Sequence, residues 1–327
     1  MHLTVSLNIA STAGQAGALT FSDLAGFAQR AEAAGLDMIV LDDAPPGRAG
    51  SGNPFEATTL LAALATVTSR IGLVATASMV AHQPYNLARR FASLDIISHG
   101  RAGWNATMAQ APSEAANFSR PDGFSSDEFR RRSEEYIGIV QGLWNGWEAD
   151  ALLFDKDSGR FHDPGKMHQL DHKGEFFAVR GPLNVARSPQ DTPVLVLSGL
   201  AAGDLDIAAR TADVILLDER QAARRKARHD ECRRRVSASG REPDAVRILA
   251  DISLAANGVA GLADRMEEEF RANNCDGFNI RLSAHISALD DFTNRVLPEL
   301  RRRGVIRQSY GGTTLRSHLG LSGGGDR

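Results

Sequence analysis

The run Pro84-Tyr-Asn-Leu-Ala-Arg-Arg-Phe-Ala-Ser-Leu-Asp-Ile-Ile-Ser-His-Gly-Arg-Ala-Gly-Trp-Asn105 contains a helix, a helix stop and the start of a strand. Its apolar residues recur at helical spacing and predict one apolar helix face: Leu87, Phe91, Leu94 and Ile97. Gly100 ends the predicted helix, and the small residues that follow suit a strand in a crowded interior. The run therefore predicts one helix-to-strand step of a larger α/β fold.

Segments of strand type and helix type alternate along the whole chain. Eight short apolar runs are typical of parallel strands that are buried on both faces: Leu3–Ile9, Met38–Asp43, Ile71–Ser78, Ala102–Thr107, Pro193–Ser198, Ala212–Asp218, Val246–Leu254 and Gly277–Leu282. Thr20 with Asp23 predicts a capping box at the first helix, and Gly35 its end. Eight strand–helix steps predict a single (β/α)8 barrel, closed by pairing of the last strand with the first.

The composition is that of an ordinary globular protein, with 327 residues, 43% apolar and 24% charged. A net charge of -3 gives no electrostatic basis for binding nucleic acid or an anionic membrane. The sequence has no apolar run of membrane-span length and no signal segment at its start. Cys232 and Cys275 are too few for a disulfide framework. These features predict a cytoplasmic protein with reduced thiols.

Two segments break the alternating pattern. Residues 148–191 contain His162, His168 and His172 without helical pairing, so a packed excursion ending in a short hairpin is favoured over a metal site. Gln221–Arg241 is rich in arginine but has acidic neighbours and no interleaved aromatic residues, which favours a solvated outer helix. We therefore predict a barrel domain over residues 1–310 and a Gly-rich tail over 311–327 that is loose at its extreme end.

Several longer motifs carry a family resemblance: the opening run, Gly142-Leu-Trp-Asn-Gly-Trp-Glu148, Asp155-Lys-Asp-Ser-Gly-Arg-Phe161, His172-Lys-Gly-Glu-Phe-Phe-Ala-Val-Arg-Gly-Pro-Leu-Asn-Val185, Asp276-Gly-Phe-Asn279 and Gly312-Thr-Thr-Leu315. On these runs nearly the whole chain resembles the bacterial-luciferase superfamily of flavin-dependent monooxygenases. It is similar to the branch that contains nitrilotriacetate and dibenzothiophene-sulfone monooxygenases. The resemblance implies a luciferase-like barrel that uses dioxygen and reduced FMN, supplied by a separate flavin reductase, on a small organic substrate. It also implies a homodimer, built partly from the helix Pro84–Ile97.

The resemblance places candidate flavin contacts at the ends of early strands. Asp43 matches a family aspartate near the flavin, although a carboxylate there could also cap the next turn. Thr76 and Ser78 match the third-strand motif near the ring, where a buried hydroxyl could instead bond the backbone. Asn105 follows the family's Gly-Trp-Asn and could donate to a flavin carbonyl or support its neighbours.

The phosphate and catalytic candidates come from later positions. Arg130 falls where the family has a phosphate-contacting tyrosine; it could hold a phosphate or be a surface charge. Ser198 and Gly199 follow the fifth strand, where the family binds the phosphate. His82 and His285 are the histidines expected near the pocket mouth, as catalytic candidates or as ordinary exposed loop residues.

The sequence departs from the family pattern at Met79, Met108, Ala109, Ser126 and Ala201, where the family has polar side chains. The loop Ala10–Leu19 lacks the family's histidines, and Ala255–Ala260 replaces a long insertion over the substrate pocket. We therefore expect weak binding of oxidised FMN and a colourless purified protein. Two alternatives to the monooxygenase stay open: a degenerate barrel that serves as a flavin-binding or partner subunit, and an F420-dependent oxidoreductase.

Overall fold

The computed structural model describes residues 1–8, 20–43, 55–110, 112–118, 120, 122–218, 225–254, 261–283 and 286–323. Eight parallel strands close into a barrel, and neighbours in the ring follow the order of the chain. They are β1 (His2–Asn8), β2 (Met38–Asp42), β3 (Gly72–Thr76), β4 (Ala102–Thr107), β7 (Val194–Ser198), β8 (Val214–Leu217), β9 (Arg247–Ser253) and β10 (Gly277–Ser283). The fold prediction is confirmed. Its closure is confirmed as well, because β10 pairs with β1 from His2↔Gly277 to Asn8↔Ser283.

Helices lie outside the ring of strands. Their bounds are α1 (Phe21–Ala33), α2 (Ala57–Ala65), α3 (Pro84–Ile97), α4 (Pro112–Ala116), α5 (Ser126–Trp144), α6 (Leu205–Thr211), α7 (Arg225–Ala238), α8 (Leu262–Arg271), α9 (Ile286–Arg295), α10 (Leu297–Arg302) and α11 (Leu315–His318). Thr20 and Asp23 form the predicted capping box of α1. Gly35 and Gly100 end α1 and α3 with φ of 71° and 81°, a conformation that favours glycine.

The lower half of the barrel interior, at the amino ends of the strands, is apolar. Side chains from five strands form one buried cluster there with three leucines from near the end of the chain: Met38, Val40, Val74, Val194, Val196, Val214, Leu216, Leu249, Leu315, Leu319 and Leu321. Gly72 leaves room for this closure, because a Cβ at that position would lie 2.3 Å from Cδ1 of Leu315. Residues 312–321 therefore form a plug that closes the barrel floor.

Polar contacts fix the floor plug in place. The Leu315 N–H donates to the carbonyl of Gly100 at 2.9 Å. Arg316, which is 8% exposed, donates to the Asp213 carboxylate at 2.8 Å and to the Thr192 carbonyl at 3.0 Å. The predicted domain division at residue 311 stays a prediction, and the segment after it is packed as far as Leu321. Residues 324–327, at the end predicted to be loose, lie outside the described residues.

The segment between α5 and β7 is a packed excursion. It forms isolated bridges between Trp147 and Met167 and between Leu152 and His162. It then forms the antiparallel hairpin β5 (His172–Lys173) and β6 (Ala178–Val179), as predicted. The three histidines of this segment have separate neighbours: His162 lies beside Trp147, His168 bonds Glu148 and His172 bonds Glu135.

The arginine-rich segment forms α7 on the outside of the barrel. Its basic side chains pair with acidic neighbours, as in Arg225 with Glu269, Arg233 with Asp276 and Arg235 with Asp206. The predicted outer helix is therefore confirmed for residues 225–238, while 221–224 lie outside the described residues. Within the part of the chain that is described, no helix is both long and apolar enough to cross a membrane.

Candidate functional site

A cavity of about 760 Å³ opens at the carboxyl ends of the strands, the end at which (β/α)8 barrels bind their ligands. Its lining includes six of the nine residues proposed from the sequence: Asp43, Thr76, Ser78, His82, Asn105 and Ser198. They come from β2, β3, β4, β7 and the turn after β3. The alternation of side chains along each strand points Thr76, Asn105 and Ser198 into the barrel. The fold thus brings most of the predicted site together at one place.

Asn105 carries the clearest sign of a ligand. Its side chain is on β4, is 3% exposed and lines the cavity. The amide Nδ2 donates to the Thr76 hydroxyl at 2.8 Å, while Oδ1 has no hydrogen-bond partner in the described part of the chain. A buried acceptor without a partner costs free energy, so a ligand N–H would fit it. Asn105 therefore presents an unpaired polar atom to the cavity, and its role as a contact of the flavin stays a prediction.

The turn after β3 is shaped by its own side chains. The Ser78 hydroxyl accepts hydrogen bonds from the N–H groups of Val80 and Ala81 at 3.0 and 3.3 Å. His82 Nδ1 lies 3.0 Å from the Ser78 carbonyl, and Nε2 lies 3.2 Å from Arg90 Nη1. Because the carbonyl accepts and the guanidinium donates, Nδ1 is the donor and Nε2 the acceptor in these contacts. Both nitrogens of His82 are thus occupied.

Carboxylates dominate one wall of the cavity. Asp42, Asp43, Glu56 and Glu114 all belong to the lining. Burial raises the pKa of Asp42 to about 6, against the opposing charge of Arg281. Burial, and then the neighbouring Glu56 and Glu114, raise the pKa of Asp43. Burial also opposes ionisation of Glu56, but hydrogen bonds from Thr59 and Thr58 outweigh it, so its pKa is lowered.

A second polar group lies deeper in the barrel. Asn279 donates to Asp251 Oδ1 and to the Ser6 hydroxyl, both at 2.8 Å, and accepts from Thr4 at 2.9 Å. Burial raises the pKa of Asp251 to about 7, while Asn279 and Arg281 act in the opposite direction. Arg281 Nη1 lies 3.8 Å from Asp251 Oδ2, and the side chain lines the cavity. Arg281 therefore faces both Asp42 and Asp251.

The predicted phosphate side is less complete. Gly199 has φ of 66°, and a Cβ there would lie 2.9 Å from the Thr107 hydroxyl, so the position needs glycine. Arg130 is paired with Asp127 and does not line the cavity. Its Nη1 would nevertheless lie 3.0 Å from a Cβ at Gly203, so the guanidinium lies against the turn after β7.

The remaining predicted positions and the departures from the family pattern lie as follows. The N–H of Ala201, in the turn proposed to hold an anion, donates to Asp204 at 2.8 Å and is therefore occupied. His285 lies outside the described residues, as do the loops 10–19 and 255–260. Of the other departures, Met79 and Met108 are buried in the core, where they pack with apolar neighbours. Ala109 lines the cavity, and Ser126 is exposed at the start of α5.

Several cavity residues were not identified from the sequence. Asp42, Thr107 and Arg281 each lie two residues from an inward-facing strand position, namely Val40, Asn105 and Asn279. Period-two alternation could have found them. Glu56, Gln110 and Glu114 belong to helix starts and a loop. No strand period reaches such residues, so only the tertiary structure reveals them.

Comparisons with known proteins agree with this geometry. The family model described as luciferase-like monooxygenase matches residues 1–284. The chain is 33% identical to nitrilotriacetate monooxygenase component A of Aminobacter aminovorans, over 82% of this chain and 79% of that protein. It is 35% identical to a pristinamycin IIA synthase subunit from Streptomyces pristinaespiralis, over 98% of this chain and 96% of that protein.

The solved structure of riboflavin lyase RcaE with modified FMN and riboflavin superposes with a TM-score of 0.85, at 25% identity. The match covers 98% of this chain and 96% of that one. The alignment with the nitrilotriacetate protein runs over 358 positions, more than the 327 residues of this chain, so that relative carries insertions. The alignment with the pristinamycin protein runs over 321 positions and is nearly free of gaps. The chain belongs to the luciferase-like monooxygenase family.

Proposed function

We propose that this protein is a flavin-dependent monooxygenase that uses reduced FMN from a separate flavin reductase, with dioxygen, on a small organic substrate. The observation that carries the proposal is the cavity of about 760 Å³, with the unpaired Asn105 Oδ1 in its wall. A cavity of this size is within the range of cofactor sites. Membership of the monooxygenase family supplies the reaction class.

The residues present fit a flavin. We assign Thr76, Ser78 and Asn105 to its ring, because Thr76 and Asn105 are hydrogen-bonded on adjacent strands and Ser78, in the turn after β3, lines the same cavity. Asn105 Oδ1 would accept from a ring N–H, with Thr76 holding the amide in that orientation. Asp43 lines the same wall and would contact the ring edge. When bound, reduced flavin supplies the two electrons needed to cleave dioxygen, so that one oxygen atom enters the substrate and the other is released as water.

The phosphate would lie at the turn after β7. Ser198 offers a hydroxyl there, and Gly199 lets the backbone approach closely. Arg130 lies against the same turn and would form a charge-assisted contact by turning from Asp127 to the phosphate. Because Ala201 has no hydroxyl and its N–H is used by Asp204, we expect weak binding of oxidised FMN and a colourless purified protein.

His82 is assigned a positioning role. Its two nitrogens bond the Ser78 carbonyl and Arg90, so it holds the turn that carries Ser78. A catalytic role for His285 stays a prediction. A cytoplasmic location likewise stays a prediction.

A role as a partner in a larger enzyme is the second candidate function. Two observations favour it. The Ala201 N–H is already bonded to Asp204 and so is not free for a phosphate. The chain also aligns almost without gaps with a protein that is named as one subunit of a synthase. In that case the barrel would bind flavin or a second barrel without catalysis of its own. An F420-dependent reaction is a further alternative, and the flavin titration below addresses it as well.

We also propose a homodimer that uses α3. Its residues Phe91 and Leu94 are buried within the protomer, at 0% and 4% exposure. Ile96 and Ile97 remain 42% and 49% exposed at its end and are available to a second copy. Light scattering at micromolar concentration is expected to give twice the mass of the chain, and a monomer mass would reject the dimer.

The function is tested by titrating the protein with oxidised and photoreduced FMN and, in parallel, with F420. We expect a saturable change in absorbance that is stronger with reduced FMN. Oxygen consumption with a flavin reductase should then depend on added substrate. If neither redox form of FMN changes the spectrum, the proposed enzymatic function is rejected. If only F420 gives a saturable change, the cofactor is F420 and not FMN.

A further inference from the structure

One loop contributes four side chains to the cavity. Residues 110–124 follow β4 and contain α4; we call them the cap loop, of which residues 111, 119 and 121 lie outside the described residues. The members that line the cavity are Gln110, Glu114, Asn117 and Phe118. The last three stand three and four positions apart, and the Asn117 N–H donates to the Glu114 carbonyl at 2.9 Å, so one helical turn directs them to the same side. The inner face of the cap loop is therefore part of the cavity wall.

Hydrogen bonds join the two ends of the cap loop. Gln110 Nε2 donates to the Phe124 carbonyl at 2.9 Å, and the Phe124 N–H donates to Gln110 Oε1 at 3.0 Å. Gly123 beside this contact has φ of 68°, and a Cβ there would lie 3.3 Å from Gln110 Oε1, so the position favours glycine. Loops whose ends are held together in this way are compact and frequently functional.

The base of the cap loop is fixed to the turn after β3. Arg132 on α5 lies 5.1 Å from the ring centroid of Phe124 and donates to the Met79 carbonyl at 2.8 Å. Arg120 lies 4.4 Å from the same centroid. Such cation–π contacts hold the Phe124 ring in place, and Met79 belongs to the turn that carries Ser78. The cap loop is therefore supported by the turn that the flavin ring is proposed to contact.

The cap loop reaches from one side of the proposed flavin site to the other. Burial, then Glu56 and Glu114, raise the pKa of Asp43 at the end of β2, so the cap loop, which starts after β4, extends to β2. In the barrel β3 lies between these two strands, and Thr76 on β3 bonds Asn105 on β4. A flavin ring held by these two side chains would lie between the strand ends and the cap loop. The ligand group beside the cap loop is then the substrate.

Phe118 gives the inner face of the cap loop an apolar surface. Its side chain lines the cavity and yet remains 46% exposed. Contact between an aromatic ring and water is unfavourable, and an apolar group of a ligand that packs against the ring removes it. The flavin contacts proposed above are polar atoms on the strand side, so they leave the Phe118 ring to a second ligand.

We propose that Phe118 is a specificity-determining residue and that it selects substrates with an aromatic ring or a comparable apolar group, which packs between the cap loop and the flavin. This inference rests on the proposed function, because the flavin is taken to occupy the strand side of the cavity. The preference grows with the apolar area of the substrate, since the favourable free energy of such a contact is proportional to the area withdrawn from water.

The test uses two probes, benzyl alcohol and ethanol, which share a hydroxymethyl group and differ in the phenyl ring. Their dissociation constants are measured by saturation-transfer NMR, on the protein alone and with photoreduced FMN in the absence of oxygen. We expect benzyl alcohol to bind at least about tenfold tighter than ethanol, because burial of a phenyl ring is worth that much. Equal affinity for the two probes would overturn the proposal.

Two variants of Phe118 localise the effect. Phe118→Ala should weaken benzyl alcohol by about tenfold and leave ethanol within about twofold, whereas Phe118→Leu, which keeps an apolar side chain, should retain most of the affinity. The control is Phe161→Ala, because Phe161 is 60% exposed on the excursion and is not part of the cavity lining. Benzyl alcohol affinity that is unchanged in Phe118→Ala, or an equal loss for both probes, would overturn the proposal.

The two proposals fail separately. If Phe118→Ala weakens benzyl alcohol and the unaltered protein binds no FMN, the flavin function is rejected and the apolar contact of Phe118 stands. If FMN binds and Phe118→Ala leaves benzyl alcohol unchanged, the role of Phe118 in substrate selection is rejected and the flavin function stands. If Phe118→Ala weakens FMN but not benzyl alcohol, Phe118 contacts the flavin and its assignment to the substrate is wrong.

Discussion

The two ends of the barrel interior differ in whether their buried groups are fully packed and paired within the protein. At the floor, leucines of the plug fill the space between valines, and the one buried ion pair there, among the described residues of the plug, joins Arg316 to Asp213. At the top, Asp42 and Asp251 share Arg281, and Asn105 Oδ1 has no described partner. The floor is complete without a ligand, whereas the top is complete only with one. Stability is therefore concentrated at the floor and binding at the top.

The largest effect is expected from breaking the ion pair of the floor. Arg316→Met leaves the Asp213 carboxylate buried with only the Leu195 N–H as donor, and should lower the free energy of unfolding by about 3–5 kcal/mol. Urea denaturation measures it. Arg302→Met, at an exposed arginine, is the control and should change stability by less than about 0.5 kcal/mol. Equal effects of the two changes would show that the floor pair has no special weight.

The apolar part of the plug gives the next effect. Leu315→Ala removes the side chain that lies beneath Gly72 and should cost about 2–5 kcal/mol through the cavity it leaves. Leu153→Ala, at a residue 38% exposed, is the matched control. Gly72→Ala should be tolerated better in the Leu315→Ala background than alone. If the two substitutions are simply additive, the proposed contact does not limit the floor.

The fold was predictable because parallel strands buried on both faces have a local signature. All eight predicted strands occur, and α3 has the predicted bounds Pro84–Ile97. The plug, residues 312–321, was not predicted, because its three leucines stand among glycines and polar residues in a short segment without the length of a typical helix or strand. Its position depends on contacts of Leu315 with Gly72 and Gly100, which lie more than 200 residues earlier in the chain. A local sequence pattern carries no information about such contacts.

The site divides in the same manner. Thr76, Asn105 and Ser198 were found because strand ends carry them at positions that the family resemblance marks. Arg130 lies against the turn after β7, and its role at a phosphate stays a prediction, while its pairing with Asp127 depends on helix geometry. Glu114 comes from a short helix, and no sequence pattern connects it to Asp43. Only the folded chain therefore shows that Asp43 and Glu114 line one cavity.

At the top of the barrel, pH should change stability. Burial raises the pKa of Asp42 from 3.8 to about 6, so the folded state holds a proton that the unfolded chain releases between those pH values. The free energy of unfolding should fall as pH rises through this window, by up to about 3 kcal/mol for this residue. The charged groups that face it are Arg281 and Asp251, whose own pKa is raised to about 7.

Asp42→Asn should remove this part of the pH dependence. Thermal denaturation between pH 4 and pH 8 compares the variant with the unaltered protein, and Asp291→Asn on exposed α9 is the control. If the stability of the Asp42→Asn variant still falls by the full amount as pH rises, another residue holds the proton. Asp251→Asn is then the next variant to test.

Asn105 tests whether the unfilled acceptor serves the flavin. Asn105→Leu keeps the branched shape of the side chain without its polar atoms and should weaken binding of reduced FMN by about tenfold to a hundredfold, the worth of one lost hydrogen bond in a buried site. The same titration on Asn86→Leu, at an exposed position of α3, should give an unchanged constant. If the Asn105 variant binds reduced FMN with unchanged affinity, the flavin ring does not contact Asn105.

The smallest effect is expected at the phosphate. Arg130→Ala should weaken FMN by a few-fold and should not weaken riboflavin, which has no phosphate, because an exposed charge contributes on the order of 1 kcal/mol. Arg131→Ala, at the next residue, whose guanidinium pairs with Glu175, is the control. An identical response of both flavins to the change would remove Arg130 from the phosphate site.

Closure of the barrel joins parts of the chain that are far apart in sequence. Thr4 on β1 bonds Asn279 on β10, 275 residues later, and Leu315 of the plug bonds Gly100. Contacts of such separation form slowly, because long loops must close before any of the pairing free energy is gained. The ring of strands that supports the cavity is thus complete only when the last strand, β10, pairs with the first, β1. A fragment that stops short of β10 will therefore have neither the closed barrel nor the complete ligand site.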